Sequence, residues 1–253
     1  MAQVVSVVTP YYKESEDLLW QCHESVIRQK GDFTINHFMV ADGYPQAQVS
    51  KWNCNHTSLP LAHNDAGNTA RGIGSILAEK INSDFITFLD ADNWYHDNHI
   101  KSLLLFHLKN RTAVTTCFRT FHSTDGSQLK VTEIDEENLK HVDTSCMFLH
   151  KNAFYINRLW HQIPQELWGI GDRIIMAKII KERLSIASTR SRTVAYRTLW
   201  RNHYEMAGML PPKDAKGDEV IQPCFKYIMS ARGVEECIDK LGFWPATYFR
   251  QEE

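Results

Sequence analysis

The chain has few cysteines and no cysteine pattern: six among 253 residues, at Cys22, Cys54, Cys117, Cys146, Cys224 and Cys237, with no Cys-x-x-Cys pair. That excludes a disulfide-stapled scaffold and a thiolate zinc site, and leaves reduced, structural thiols. Long apolar runs are missing too. No stretch approaches the roughly 18 apolar residues that cross a bilayer, and the N-terminus has no basic region followed by an apolar core. The expectation is a soluble, cytoplasmic chain with no integral membrane segment, peripheral membrane contact being left open. Without an export signal, the Asn-x-Thr triplets at Asn55 and Asn110 are chance occurrences. Neither charge sign dominates: Lys plus Arg number 28 against 30 for Asp plus Glu, a formal net charge of −2. No basic field exists to hold phosphate backbones, so a nucleic-acid partner is excluded. There is no internal repeat and no low-complexity tract.

What is present reads as an alternating α/β chain, long enough for one large domain or two small ones. Val4–Thr9 is an apolar, β-branched run stopped by Pro10, which removes a backbone donor. Leu18, Leu19, Cys22, Val26 and Ile27 recur at helical spacing between Glu16 and Gln29. His37–Gly43 reads as a second strand, residues 52–63 as an irregular polar stretch, and Asn68–Ile81 as a helix. Ile86–Leu89 is a third strand. Strand and helix alternating in this way point to a mostly parallel sheet covered by helices. Further on, Thr112–Phe121, Asp143–Leu149 and Ile186–Tyr196 read as strands, Gly171–Arg183 as a helix, and Glu219–Leu241 as a final helix. Residues 211–217, rich in proline and lysine, form a surface loop.

The most informative motif is Asp90-Ala91-Asp92, which an apolar strand delivers onto its own carboxyl end. In open α/β sheets that edge binds ligands, and hard oxygen donors there suit Mg²⁺ or Mn²⁺ carrying a substrate's phosphates. Asp and Asn also serve as turn and cap residues after strands, so the pair alone is a weak signal. Asp42 ends the second strand on the same rim, where a carboxylate can accept from a base edge or a ribose hydroxyl. Thr9, Pro10 and Tyr11 end the first strand there, and Tyr11 or Tyr12 can stack on a base. Gly67 and Gly72 have P-loop spacing, but Ile73 and Gly74 replace the Lys and Ser/Thr that such a loop needs. Arg71 remains as a cation near a helix start. Asp172, after Trp168, Gly169 and Gly171, is either a general base beside glycines that admit an acceptor, or a helix cap.

Taken together and in order, these residues resemble family 2 glycosyltransferases of the GT-A fold. Val4–Tyr12 is similar to the family's opening strand with its Pro-x-Tyr ending, Asp42 to the acid that reads the donor base, and Arg71 to the arginine that meets the donor. Asp90-Ala91-Asp92 matches the D-x-D. Gly171-Asp172 resembles the family's Glu-Asp pair, whose Asp is the base of inverting members, with Gly171 replacing the Glu. His203 resembles a late histidine that completes the metal shell.

The resemblance implies an α/β GT-A fold, a mostly parallel central sheet flanked by helices. Residues 1–110 form the nucleotide-sugar half and 111–253 the acceptor half with a C-terminal helical segment. It implies a transferase that uses Mn²⁺ or Mg²⁺, held by Asp92, His203 and Asp90, to move a sugar from a nucleotide-diphosphate sugar, UDP-linked, to an acceptor hydroxyl with inversion. Donor contacts fall to Thr9, Pro10, Tyr11, Asp42, Arg71, Asp90, Ala91 and Asp92, acceptor contacts to Trp168, Gly169 and Gly171. A retaining enzyme and a non-catalytic sugar-nucleotide or glycan-binding relative are the alternatives. The acceptor's class, whether glycan, lipid, protein or small molecule, is not encoded in any motif.

Overall fold

The computed structural model describes residues 2–131, 139 and 141–249. Its first strand, β1 (Gln3–Tyr11), is buried from Val5 to its end. Burial on both faces is what a continuous apolar run dictates in a central parallel strand. β2 (Phe33–Ala41) pairs parallel with β1, β3 (Asn55–Ser58) parallel with β2, and β4 (Phe85–Phe88) parallel with the other side of β1. The chain therefore builds outward from β1 in one direction and then returns to its other flank. Such a reversal of strand order leaves a crevice at the carboxyl ends of the strands.

Two helices make the crossovers. α1 (Glu16–Ile27) starts at Ser15, whose hydroxyl accepts the Leu18 N–H, with Glu16 and Asp17 favourably placed at the positive end of the helix. α2 (Asn68–Lys80) lies close on β1 and β2 because of its glycines. A Cβ at Gly74 would stand 2.4 Å from Val8 Cγ1 and 3.2 Å from Val40 Cγ2. Gly74 thus lets the helix approach the sheet, while of the two glycines with phosphate-loop spacing Gly67 forms the left-handed cap of α2 against Pro10 and Gly72 faces His161.

β5 (Trp94–Tyr95) and α3 (His99–Asn110) follow, then β6 (Val114–His122), β7 (Gln128–Leu129), β8 (Met147–His150), α4 (Gly171–Lys181) and β9 (Ile186–Arg197). The strands make one sheet in the order β3-β2-β1-β4-β8-β6-β9-β5, with β7 paired to β6. β8 runs antiparallel between β4 and β6, while β6 and β9 are parallel. Both halves of the chain thus contribute to one core, in which Val5, Phe85 and Phe88 share a cluster with Val114, Phe148, Trp160 and Ile174. Each large apolar side chain buried there contributes roughly 1.5–3 kcal/mol. α5 (Arg201–Met206), α6 (Gln222–Ile228) and α7 (Ala231–Leu241) complete the chain.

Four local expectations need correction. The stretch 52–63 contains β3, a short edge strand too polar to show an apolar pattern. α3 carries His99, Ile100, Leu103, Leu104 and His107 on its buried side and packs on β6 and β9, although the sequence suggested no helix there. The strand expected from Asp143 begins at Met147, because Asp143 accepts the Ser145 N–H and caps a 3-10 turn over Thr144–Cys146. The single helix expected over Glu219–Leu241 is broken before Ser230, whose hydroxyl accepts the Gly233 N–H and caps α7. All six cysteines are free thiols. Among the described residues no helix is long and apolar enough to cross a membrane.

Candidate functional site

The carboxyl ends of β1, β2 and β4 open into a cleft of about 700 Å³. Pro10 and Tyr11 reach it from β1, Asp42 from β2, and Asp90, Ala91 and Asp92 from the end of β4. Arg71 enters from α2, Trp168, Gly169, Gly171 and Asp172 from the approach to α4, and His203 from α5. Thr9 does not line it. Side chains alternate along a strand, and the Thr9 hydroxyl points instead to His37 Nε2, 2.8 Å away, and to Cys22.

At the carboxyl end of β2 the Asp42 carboxylate is pinned by the segment after β3. It accepts the His63 N–H at 3.0 Å and Nδ1 at 2.7 Å on one oxygen, and the Asn64 N–H at 3.2 Å on the other. Tyr11 is almost fully buried and its hydroxyl bonds His56 Nε2 at 2.6 Å. Of the two tyrosines that could stack on a base only Tyr12 is open, and it meets Tyr44 edge-on at 4.8 Å.

Arg71 sits in the first turn of α2, where a cation opposes the helix dipole. It is nonetheless buried. Its Nη2 donates to Asp90 Oδ1 at 2.5 Å, its Nη1 to the Ala66 carbonyl at 2.7 Å, and its guanidinium lies 5.3 Å over the Trp160 ring. Arg71 is paired with Asp90, so its charge offsets that carboxylate rather than Asp92. Burial, then the charges of Asp90 and Glu14, push the Asp92 carboxyl up to about 7, against the weaker pull of Arg197.

A carboxylate so poorly matched by the protein's own cations suits a hard divalent ion. The three-residue shell of Asp90, Asp92 and His203 is not assembled, however: no three His, Cys, Asp or Glu side chains gather as a metal cluster among the described residues. Asp90 is drawn to Arg71, and His203 Nδ1 bonds Thr198 Oγ1 at 2.7 Å. An ion here would take part of its coordination from a ligand's oxygens, as Mg²⁺ at phosphate sites commonly does.

The other end of the cleft holds Asp172. It is the second residue of α4, with Ile170 in the cap position, so it is not an N-cap. Its Oδ2 bonds His141 Nε2 at 2.7 Å and its Oδ1 accepts the Arg173 N–H at 2.7 Å. Burial raises this carboxyl, but the charge and hydrogen bond of His141, followed by Arg173, outweigh it and bring the group to about 2. Nearby, the buried Arg119 donates from Nη1 to Asp143 Oδ2 at 2.7 Å. Glu14, Arg119, His141 and Asp143 all line the cleft and were missed in the sequence. Glu14 lies in the loop before α1, where no motif marks it. The others lie in stretches without a motif, and only the pairing of β6 and β8 with the rest of the sheet brings them here.

Glycosyl transferase family 2 matches residues 6–166, more than half of the chain, and the chain belongs to that family. The fold agrees. The crystal structure of S. aureus TarS 1–349 with UDP aligns at a TM-score of 0.60 and 16% identity, over 80% of this chain and 62% of that one. Its complex with UDP-GlcNAc aligns at 0.61 and 15%, over 80% and 64%. TarS 1–349 without ligand aligns at 0.59 and 16%, over 94% and 79%. The chain thus spans just over three fifths of the TarS fragment in the two complexes. No curated protein matches it. The architecture is GT-A, a curled central sheet flanked by helices.

Proposed function

We propose that the chain is a metal-dependent glycosyltransferase that moves a sugar from a UDP-sugar to an acceptor hydroxyl with inversion. The observation that carries this reading is the meeting, in one cleft at the reversal point of the sheet, of Asp42, Arg71, Asp90 and Asp92 with Asp172. Family membership and the UDP and UDP-GlcNAc complexes of TarS support the donor class. In this account residues 1–110 grip the nucleotide sugar and 111–253 the acceptor.

Asp42 would accept from the base edge, Pro10 and Tyr12 would flank the base, and Arg71 would face the diphosphate through its pair with Asp90. Asp92 would hold Mn²⁺ or Mg²⁺, with Asp90 and His203 lining the same cleft, and the ion would offset negative charge on the departing diphosphate. Trp168, Gly169 and Gly171 would line the acceptor's side of the cleft next to Asp172. That residue supports general-base assistance, an effect worth on the order of 10² to 10⁴ in rate. Attack opposite the leaving diphosphate inverts the anomeric carbon.

The test is UDP release from a panel of UDP-sugars, with and without Mn²⁺, with NMR of the first-formed anomer. Metal-dependent release and an inverted product are expected, abolished by Asp92→Ala. Asp172→Asn should keep UDP affinity while stopping turnover. Release by wild type that ignores Mn²⁺, or an anomer of retained configuration, contradicts the proposal.

A further inference from the structure

β4 ends in a turn, and the turn carries two of the cleft's acids. The last bond to β1 comes from the Leu89 N–H, which donates to the Val8 carbonyl at 3.1 Å. One residue further on, the Asp90 N–H has left the sheet and donates instead to Ser145 Oγ at 3.2 Å. The Asp90 carbonyl accepts the Asn93 N–H at 2.9 Å and closes the turn. At the far end Arg197 of β9 donates from Nη1 to the Asp92 carbonyl, and its backbone N–H donates to Asn93 Oδ1 at 2.8 Å. Residues from the second half of the chain thus grip the turn at both ends.

Ser145 is itself held in place. It is fully buried in the middle of the 3-10 turn Thr144–Cys146, and its N–H donates to Asp143 Oδ1 at 2.9 Å. The other Asp143 oxygen accepts from Arg119 Nη1 at 2.7 Å, and both of those side chains are buried as well. A hydroxyl fixed in this way is a preorganised acceptor, and a buried N–H that loses its acceptor is costly enough to displace the backbone that carries it.

We propose that Ser145 is a positioning residue for Asp90-Ala91-Asp92, holding the turn so that Asp92 presents its carboxylate to a cation in the cleft. The inference rests on the metal-dependent transferase reading and deepens it. Ser145 does not line the cleft and acts through the Asp90 amide. Groups that bind an ion need their support fixed to within about 0.5 Å. Freed at that amide, the turn no longer fixes Asp90 Oδ1 against Arg71 Nη2, 2.5 Å away, or Asp92 two residues on. Loss of a group that supports a metal ligand from behind weakens metal binding by about 10- to 100-fold.

The test is calorimetric UDP affinity with and without Mn²⁺ in wild type, Ser145→Ala and Ser145→Thr, read as the ratio of the two affinities. A purely structural role would weaken both arms alike and leave the ratio standing. Mn²⁺ is expected to tighten UDP binding by about tenfold or more in wild type, by less than about threefold in Ser145→Ala, and by close to the wild-type factor in Ser145→Thr, which keeps the acceptor oxygen. The wild-type ratio in Ser145→Ala, or a loss in Ser145→Thr as large as that in Ser145→Ala, overturns the role of Ser145 and leaves the transferase reading intact. No effect of Mn²⁺ in wild type removes the metal-dependent reading, and this inference with it. Should Ser145→Ala not fold, hydrogen exchange of the Asp90 amide in wild type decides. Slowing by about 10³-fold or more relative to the unfolded chain supports the bond to Ser145, and exchange near the unfolded rate overturns it.

Discussion

Gly171 stands where the resemblance puts a glutamate, and the space a larger residue needs is already occupied. A Cβ there would lie 2.8 Å from Asn68 Oδ1 and 3.0 Å from Trp160 Cζ3, while Asn68 Nδ2 donates to the Trp168 carbonyl at 3.3 Å. The departure from the family pattern is thus matched by side chains that close the gap. Gly171→Ala is expected to destabilise by about 1–3 kcal/mol through overpacking, measured as a lower urea midpoint with unchanged slope. An unchanged midpoint would show that Asn68 moves aside freely. At this scale the sequence exposed Asp42, Asp90 and Asp92 because each follows directly on an apolar strand, so the local pattern locates it. His141 and Asp143 follow no such strand and reach the cleft through the long-range pairing of β8 with β4 and β6. Arg71 was legible as a cation near a helix start, but its partner Asp90 is 19 residues away in sequence and only the fold reveals the pair.

Among the elements, α2 shows why a short motif can mislead. Alanine at an interior helix position is favoured over glycine by about 1 kcal/mol, so propensity alone predicts that Gly74→Ala stabilises. The Cβ would meet Val8 Cγ1 at 2.4 Å against the central strand, a position that cannot yield without moving β1. Gly74→Ala is therefore expected to be net destabilising by about 1–3 kcal/mol by urea unfolding; a gain in stability would mean that α2 rides higher on the sheet. Elements with clear periodicity were legible close to their observed ends, including β1, α1, α2, α4 and β9. β3 and β5 were not, being a polar edge strand and a two-residue strand. The break between α6 and α7 was hidden because Ser230 caps a helix within an apparently continuous polar-apolar alternation.

The whole molecule carries a pH dependence through a histidine pair that does not line the cleft. His37 and His23 stack with their Nδ1 atoms 2.9 Å apart, and His37 also bonds the Thr9 hydroxyl. Burial, and then the charge of His23, lower the proton affinity of His37 well below the ordinary value of 6.5. The native state therefore binds fewer protons than the unfolded chain below that pH. The stability this pair allows is present above 6.5 and is lost as pH falls. The thermal midpoint should fall between pH 7.5 and about 5.5, and His37→Gln should flatten that slope. A slope that the substitution leaves unchanged would remove His37 as its source.

At the same scale, the sheet joins the rim of acids from the first hundred residues to the Asp172 wall, and the account stands on that junction binding a diphosphate and a cation together. Calorimetric titration of UDP into wild type and Asp92→Asn, each with and without Mn²⁺, tests it most directly. The prediction is that Mn²⁺ tightens UDP binding to wild type by about tenfold or more and leaves the variant unaffected. Equal UDP affinity in wild type with and without Mn²⁺, or a variant that responds to the metal as wild type does, would contradict it.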